Sequence, residues 1–453
     1  MAAIVKDLNQ GSVVKTMLIF AMPLLGASLI QMLYNTADMI IVGKFVGKNG
    51  LGAVSVGGDV LHFLCFVAMG FANAGQVIIS QYLGAGMKEK IGRIIGTLFT
   101  FLIVTALVLG SVTVIFRNQV LDWINTPPEV RGETEEYVVV CLAGLLFIFG
   151  YNVISAILRG MGDSKHPLIF VAIAAVLNVV LDIYFVVVCH WGVFGVALAT
   201  VISQAVSFIF SIIFLWYHRD EFGFDFKPKS FLIDLEAVKP LLALGFPMLL
   251  QSASISFSML FVNSFINSYG LIAAAMNGIG NKLGMVINII TFSLASAASP
   301  MIGQAIGARM YRRVPKILGV SLWINCLISL IIGIFIVIFP MWVFGIFTND
   351  ADVLDMALTY VPVMLVLLAG SALRPPLSAL INGSGNFKLN LAVGILDGVL
   401  MRIGLSVLLG LTCGFGVYGF WYGHALAGLT PFFVGAVYFI SGKWKTRKYI
   451  IKE

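Results

Sequence analysis

Residues 17–42, "MLIFAMPLLGASLIQMLYNTADMIIV", carry one charged side chain, Asp38. The run is long enough to cross a bilayer core of about 30 Å as a helix. Comparable runs recur from end to end. Twelve are expected, at 15–42, 51–80, 92–116, 137–158, 166–189, 192–217, 238–264, 273–302, 316–340, 357–381, 388–412 and 416–440. The chain has 453 residues, of which 60% are hydrophobic and only 11% charged. Soluble proteins carry about a quarter charged residues, so lipid is the expected solvent. Backbone groups in lipid must be satisfied within a helix or a closed barrel. Unbroken runs lack the alternation of barrel strands, which leaves an all-α polytopic membrane protein. The first run is too long for a cleaved signal, and more spans follow at once.

Basic residues set the expected orientation. Of 28 Lys and Arg, 21 lie in the N-terminus, the even-numbered connections and the C-terminal tail. The odd-numbered connections hold Lys44, Lys48, Arg117 and Arg131, and are otherwise acidic, as in "PPEVRGETEEY" and "TNDADVLD". Both termini are therefore expected on the cytoplasmic side of a cell membrane. The net charge of +7 reflects that bias, and no nucleic-acid partner is expected without a basic domain. The five cysteines and five histidines show no metal-ligand spacing.

The sequence repeats itself. "QYLGAGMKEKIGRIIG" (81–96) returns as "QAIGARMYRRVPKILG" (304–319), and "SAILRGMGDSK" (155–165) as "SALINGSGNFK" (378–388), both shifted by 223 residues. "GVFG" (192–195) matches "GVYG" (416–419) and "MPLL" (22–25) matches "FPML" (246–249), each within one residue of that shift. Two six-helix bundles are expected, at 1–217 and 240–440, related by a pseudo-two-fold axis along the membrane normal. The connection 218–239, "HRDEFGFDFKPKSFLIDLEAVK", reads as a strap between bundles or a plain link, and 441–453 as a basic cytoplasmic tail.

Four acids lie within spans: Asp38, Asp59, Asp182 and Asp397. An aspartate at a helix centre costs about 2.5–3.5 kcal/mol on insertion scales, so each needs a partner or a role. Counting from the outer helix ends, Asp38 and Asp182 lie at comparable depth, about 9–12 Å in. Asn178 lies one turn from Asp182 and Asn35 one turn from Asp38. Thr200 and Gln204 give span 6 a polar face. Polar glue in membranes contributes only about 0.6–2 kcal/mol, a poor reason to place two carboxylates in one bundle. Two carboxylates close together in low dielectric disfavour double ionisation, so Asp38, Asn178, Asp182 and Thr200 are the expected ion-coupling set. The ion is H⁺, with Na⁺ the alternative, and no other cofactor is expected. At a shift of 223 or 224, Asp38 corresponds to Val262 or Phe261; at 223, Asn178 corresponds to Met401 and Asp182 to Leu405. A scaffold feature should survive duplication, whereas a coupling site need occur once.

Asp59 has Lys282 as its repeat mate, which makes the two a candidate outer gate. Asp397 and Arg402, one to two turns apart in span 11, either neutralise each other or help bind substrate. Span 7 offers Gln251 to a second-bundle cavity, and span 10 offers Arg374 without an acid.

The chain resembles the multidrug and toxin extrusion (MATE) transporters of the multidrug/oligosaccharidyl-lipid/polysaccharide flippase superfamily. The likeness rests on "PLLGASLIQMLYNTADMIIVG", "ILRGMGDSKHP", "LNVVLDIYFV" followed by "GVFGVALATVISQ", and "ALINGSGNFK", in that order. It implies a V-shaped pair of bundles that works by alternating access. It also implies export of cationic, amphipathic compounds in exchange for H⁺ or Na⁺. The family's first-bundle coupling site maps onto Asp38, Asn178, Asp182 and Thr200. Expected partners are the lipid bilayer and small cationic substrates. A monomer is the expected working unit, although no residue pattern sets the oligomeric state. A lipid-linked oligosaccharide flippase is the nearest alternative, and its anionic cargo would call for a basic cavity. No HExxH, GxSxG or acidic metal motif suggests an enzyme.

Overall fold

A computed structural model of the chain describes residues 5–446, and among these the regular structure is helical, with no strand. Eleven helices are long and apolar enough to span a membrane. They are α1 (Val13–Phe45), α2 (Lys48–Gly84), α3 (Lys88–Ile115), α5 (Lys165–Val188), α6 (Gly192–Tyr217), α7 (Leu235–Asn267), α8 (Leu271–Gly307), α9 (Val314–Ile338), α10 (Ala351–Gly383), α11 (Phe387–Thr412) and α12 (Gly416–Ile440). The twelfth, α4, is a pair, Arg131–Ala143 and Leu145–Gly160, bent by 51° at Gly144. Large apolar side chains such as Leu107, Ile115, Leu330 and Ile440 are exposed, as lipid-facing surfaces require.

The helices group into two compact units, and the grouping crosses the expected cut through 218–239. One unit comprises the chain up to Asp7 together with Gly26–Gly245; the other comprises Leu8–Leu25 and the chain from Phe246 onward. The start of α1, Val13–Leu25, thus belongs with the second-half helices, and the start of α7, Leu235–Gly245, with the first-half ones. Phe20, Ala21 and Leu24 of α1 are buried in one cluster with Ala298, Met301, Ile317 and Leu380. The Arg313 guanidinium donates to the carbonyls of Leu8, Gln10 and Gly11, each at 3.1 Å, and fixes the chain that enters α1.

The connection 218–239 is docked, with the first unit, onto α3. Phe222 and Phe224 are buried, and Phe224 lies against Phe99 of α3 and Phe231. Thr100 donates to the Phe231 carbonyl at 2.5 Å, and Asp234 N–H donates to Thr97 at 3.3 Å. Asp225 accepts from Ser230 and from Lys227 N–H, and these bonds, with the Ser230 hydroxyl first, hold its carboxyl below the usual range. The docking depends on Gly96, where an added Cβ would lie 1.7 Å from the Ser230 carbonyl oxygen. Gly96→Ala is expected to push the segment off α3. Overpacking of this kind costs about 1–3 kcal/mol, to be read as a lower thermal midpoint with faster proteolysis between 218 and 239.

The wide turns of α5 and α11 correct the repeat register. Past Asp182, α5 continues as a π-helix over Ile183–Val188. Its repeat mate has a π-helix over Leu408–Thr412 and a further one over Leu396–Met401. The corresponding stretch of α5 is ordinary α-helix. A π-turn absorbs one extra residue in a helix. The shift therefore passes from 223 to 224 within α11, so that Asn178 corresponds to Arg402 rather than Met401, and Asp182 to Ser406 rather than Leu405. Thr200, beyond the turn, corresponds to His424.

Candidate functional site

In the first unit, α1 and α5 bring two carboxyl groups together. Asp182 is fully buried at the last α-helical residue before the π-turn, and Asp38 is half-buried on α1. Their carboxyls lie within hydrogen-bonding reach of each other. Both Asp182 oxygens, the Asp38 Oδ1 and both amide atoms of Asn178 are buried and meet no other hydrogen-bond partner. Two carboxylates so placed repel, and a single proton or cation between them satisfies both. The Asn178 amide, one turn from Asp182, offers a carbonyl oxygen to a cation or an N–H₂ to a carboxylate.

Two tyrosines close the surroundings. Tyr34, one turn before Asp38, lies in electrostatic range of that carboxylate, and Tyr137 of α4 in range of both acids. Tyr137 is buried one turn before the buried Cys141. It fits because α2 has a glycine opposite: a Cβ on Gly57 would meet Tyr137 Cδ1 at 2.5 Å. Tyr34 was readable from its four-residue spacing to Asp38, whereas Tyr137 closes an acid-rich connection and carries no such signal.

The remaining expected residues are placed less centrally. Thr200 and Gln204 are half-buried on α6, and Asn35 is exposed. Among the described residues no hydrogen bond joins any of the three to the carboxyl pair. Asp59 on α2 and Lys282 on α8 are both exposed. Gln251, half-buried on α7, lies against α11, where a Cβ on Gly394 would meet its Cα at 2.9 Å.

The second unit gathers charge differently. Asp397, fully buried inside the extra π-turn of α11, accepts from Arg402 Nη2 at 2.8 Å. Arg374, whose helix α10 carries acids only near its start at Asp352 and Asp355, reaches the other Asp397 oxygen at 3.5 Å. Arg402 Nη1 also points to the His424 ring of α12, 3.1 Å from Nδ1. Neither the Arg374 contact nor the His424 contact is visible from spacing within one span.

A family model described as MatE matches the chain twice, over residues 23–184 and 247–408. The two matches are offset by 224 residues at both ends. The probable multidrug resistance protein YoeA of Bacillus subtilis (strain 168) is 28% identical over 371 residues, covering 80% of each chain. YpnP of the same organism, also a probable multidrug resistance protein, is 27% identical over 448 residues, covering 99% of each. A crystal structure of a MATE in the straight conformation superposes with a TM-score of 0.87 at 25% identity, covering 99% of this chain and all of that one. With its two halves each matching the family model and its helices following a solved MATE, the chain belongs to the MatE family of membrane transporters.

Proposed function

We propose that the chain is a secondary multidrug exporter that expels cationic amphipathic compounds in exchange for H⁺. One observation carries the coupling: the Asp38–Asp182 pair, whose buried oxygens receive no donor from the protein. A proton on one acid supplies that donor, and its release leaves two anions that favour a different arrangement of the helices. Na⁺ is the alternative occupant, with Asn178 completing an oxygen site. The names of YoeA and YpnP support the multidrug reading. The excess of basic residues in the even-numbered connections supports termini on the cytoplasmic side.

A lipid-linked oligosaccharide flippase is the second reading, and the paired guanidiniums of the second unit favour it to the extent that they suit an anion. The deciding measurement uses purified protein in sealed vesicles loaded with a cationic dye, with either a pH or a Na⁺ gradient imposed. A proton gradient is expected to speed efflux severalfold while a Na⁺ gradient leaves it unchanged. Efflux indifferent to both gradients would end the antiport reading.

A further inference from the structure

The second unit sets two guanidiniums against one buried carboxylate. Arg374 and Arg402 both lean on one carboxylate, Asp397, and the neighbouring His424 ring adds no acid. Arg402 is 3% exposed, and its Nε is buried without a hydrogen-bond partner; so is the Asp397 Oδ2. The Arg374 side chain is 31% exposed. A charged side chain partly open within a span faces water rather than lipid. The cluster is therefore accessible on one side and holds one cation beyond what Asp397 neutralises.

Its position in the repeat sharpens the point. Once the π-turn has shifted the register, Arg402 stands where the first unit has Asn178, and His424 where it has Thr200. Ser406 replaces Asp182 and Val262 replaces Asp38. The four positions of the coupling set in one unit hold Val262, Arg402, Ser406 and His424 in the other, a base among them and no acid, and the one acid nearby, Asp397, pairs with guanidiniums. Duplication has yielded two side-chain clusters of opposite charge.

We propose that Arg374 and Arg402, braced by Asp397, form a binding site for an anionic group: the carboxylate of an amphipathic cargo. This rests on the export reading and narrows it, since the preferred cargo is then zwitterionic rather than singly cationic. Asp397 brings the two guanidiniums together, and the planar donor set of a guanidinium suits a carboxylate.

The test compares two dyes that differ only in this group, rhodamine 19 with its free carboxylate and rhodamine 6G, its ethyl ester. Binding is read by fluorescence anisotropy with the full chain in phosphatidylcholine nanodiscs. Wild type is expected to bind the acid at least about tenfold more tightly than the ester, as charge-assisted hydrogen bonds suggest. Arg374→Gln, which leaves the Arg402–Asp397 pair in place, should bring that ratio to near one, and Arg374→Lys should restore part of it. Equal binding of acid and ester by wild type, or a ratio unmoved in Arg374→Gln, overturns the proposal. A preference lost in phosphatidylglycerol nanodiscs would assign the cluster to a lipid phosphate and overturn the cargo assignment. Gradient-driven export of the ester is measured in parallel. Export of the ester with no preference for the acid removes this proposal alone, whereas absence of both binding and export removes the exporter reading and the proposal together.

Discussion

Asp182→Asn is expected to reduce gradient-driven dye efflux to the level of empty vesicles while leaving the protein at least as stable as wild type. The two effects have one origin. Asp182 is fully buried and its oxygens receive no donor from the protein, so the native bundle carries its carboxylate at a cost. A neutral group of the same shape relieves the desolvation penalty of a buried ion, on the order of several kcal/mol. Asparagine keeps the shape and cannot take up or release a proton in this range. Asp38→Asn should behave alike, and the double variant no worse than either single one, because each removes the same shared unit. Efflux in vesicles and thermal unfolding in detergent are the two readouts. Full efflux in the double variant would eliminate the pair as the coupling element.

Asp397→Ala is expected to do the opposite, lowering stability sharply. The substitution strands Arg402, itself buried, beside a half-buried Arg374. Removing one member of a buried ion pair typically costs about 3–5 kcal/mol, because an uncompensated charge is left behind. The double variant Asp397→Ala with Arg402→Met should regain much of that loss, since Arg374 retains a route to water. Equilibrium unfolding of the three proteins decides it. If the single variant proves as stable as the double, the buried pair is not what holds α11.

Hydropathy made the helices legible because the cost of exposing backbone to lipid acts on each segment separately. The level depth of Asp38 and Asp182 could likewise be counted along single helices, and the structure joins their carboxyls. What could not be read depends on partners in other segments. Arg374 finds Asp397 across helices, and Tyr137 reaches the acids only because Gly57 admits its ring. The exchange of helix starts at Leu25 and Gly245 leaves no trace in hydropathy, since a buried apolar face does not say which neighbour covers it. The register of α11 was misjudged by one residue because a π-turn has no compositional signature. That single residue decides whether Asn178 faces a methionine or an arginine in the repeat. The connection 218–239 carried a usable hint in the small residues Gly92 and Gly96, spaced one turn apart on α3.

The exchanged starts of α1 and α7 also constrain how the molecule is made. Leu8–Leu25 leaves the ribosome early, yet the residues that bury it, such as Ala298, Met301 and Ile317, are synthesised nearly three hundred positions later. The opening segment must wait in the membrane with its final neighbours missing, so neither unit can mature by itself. Separately expressed halves of this chain should therefore be incomplete, each lacking a helix end that only the other polypeptide carries.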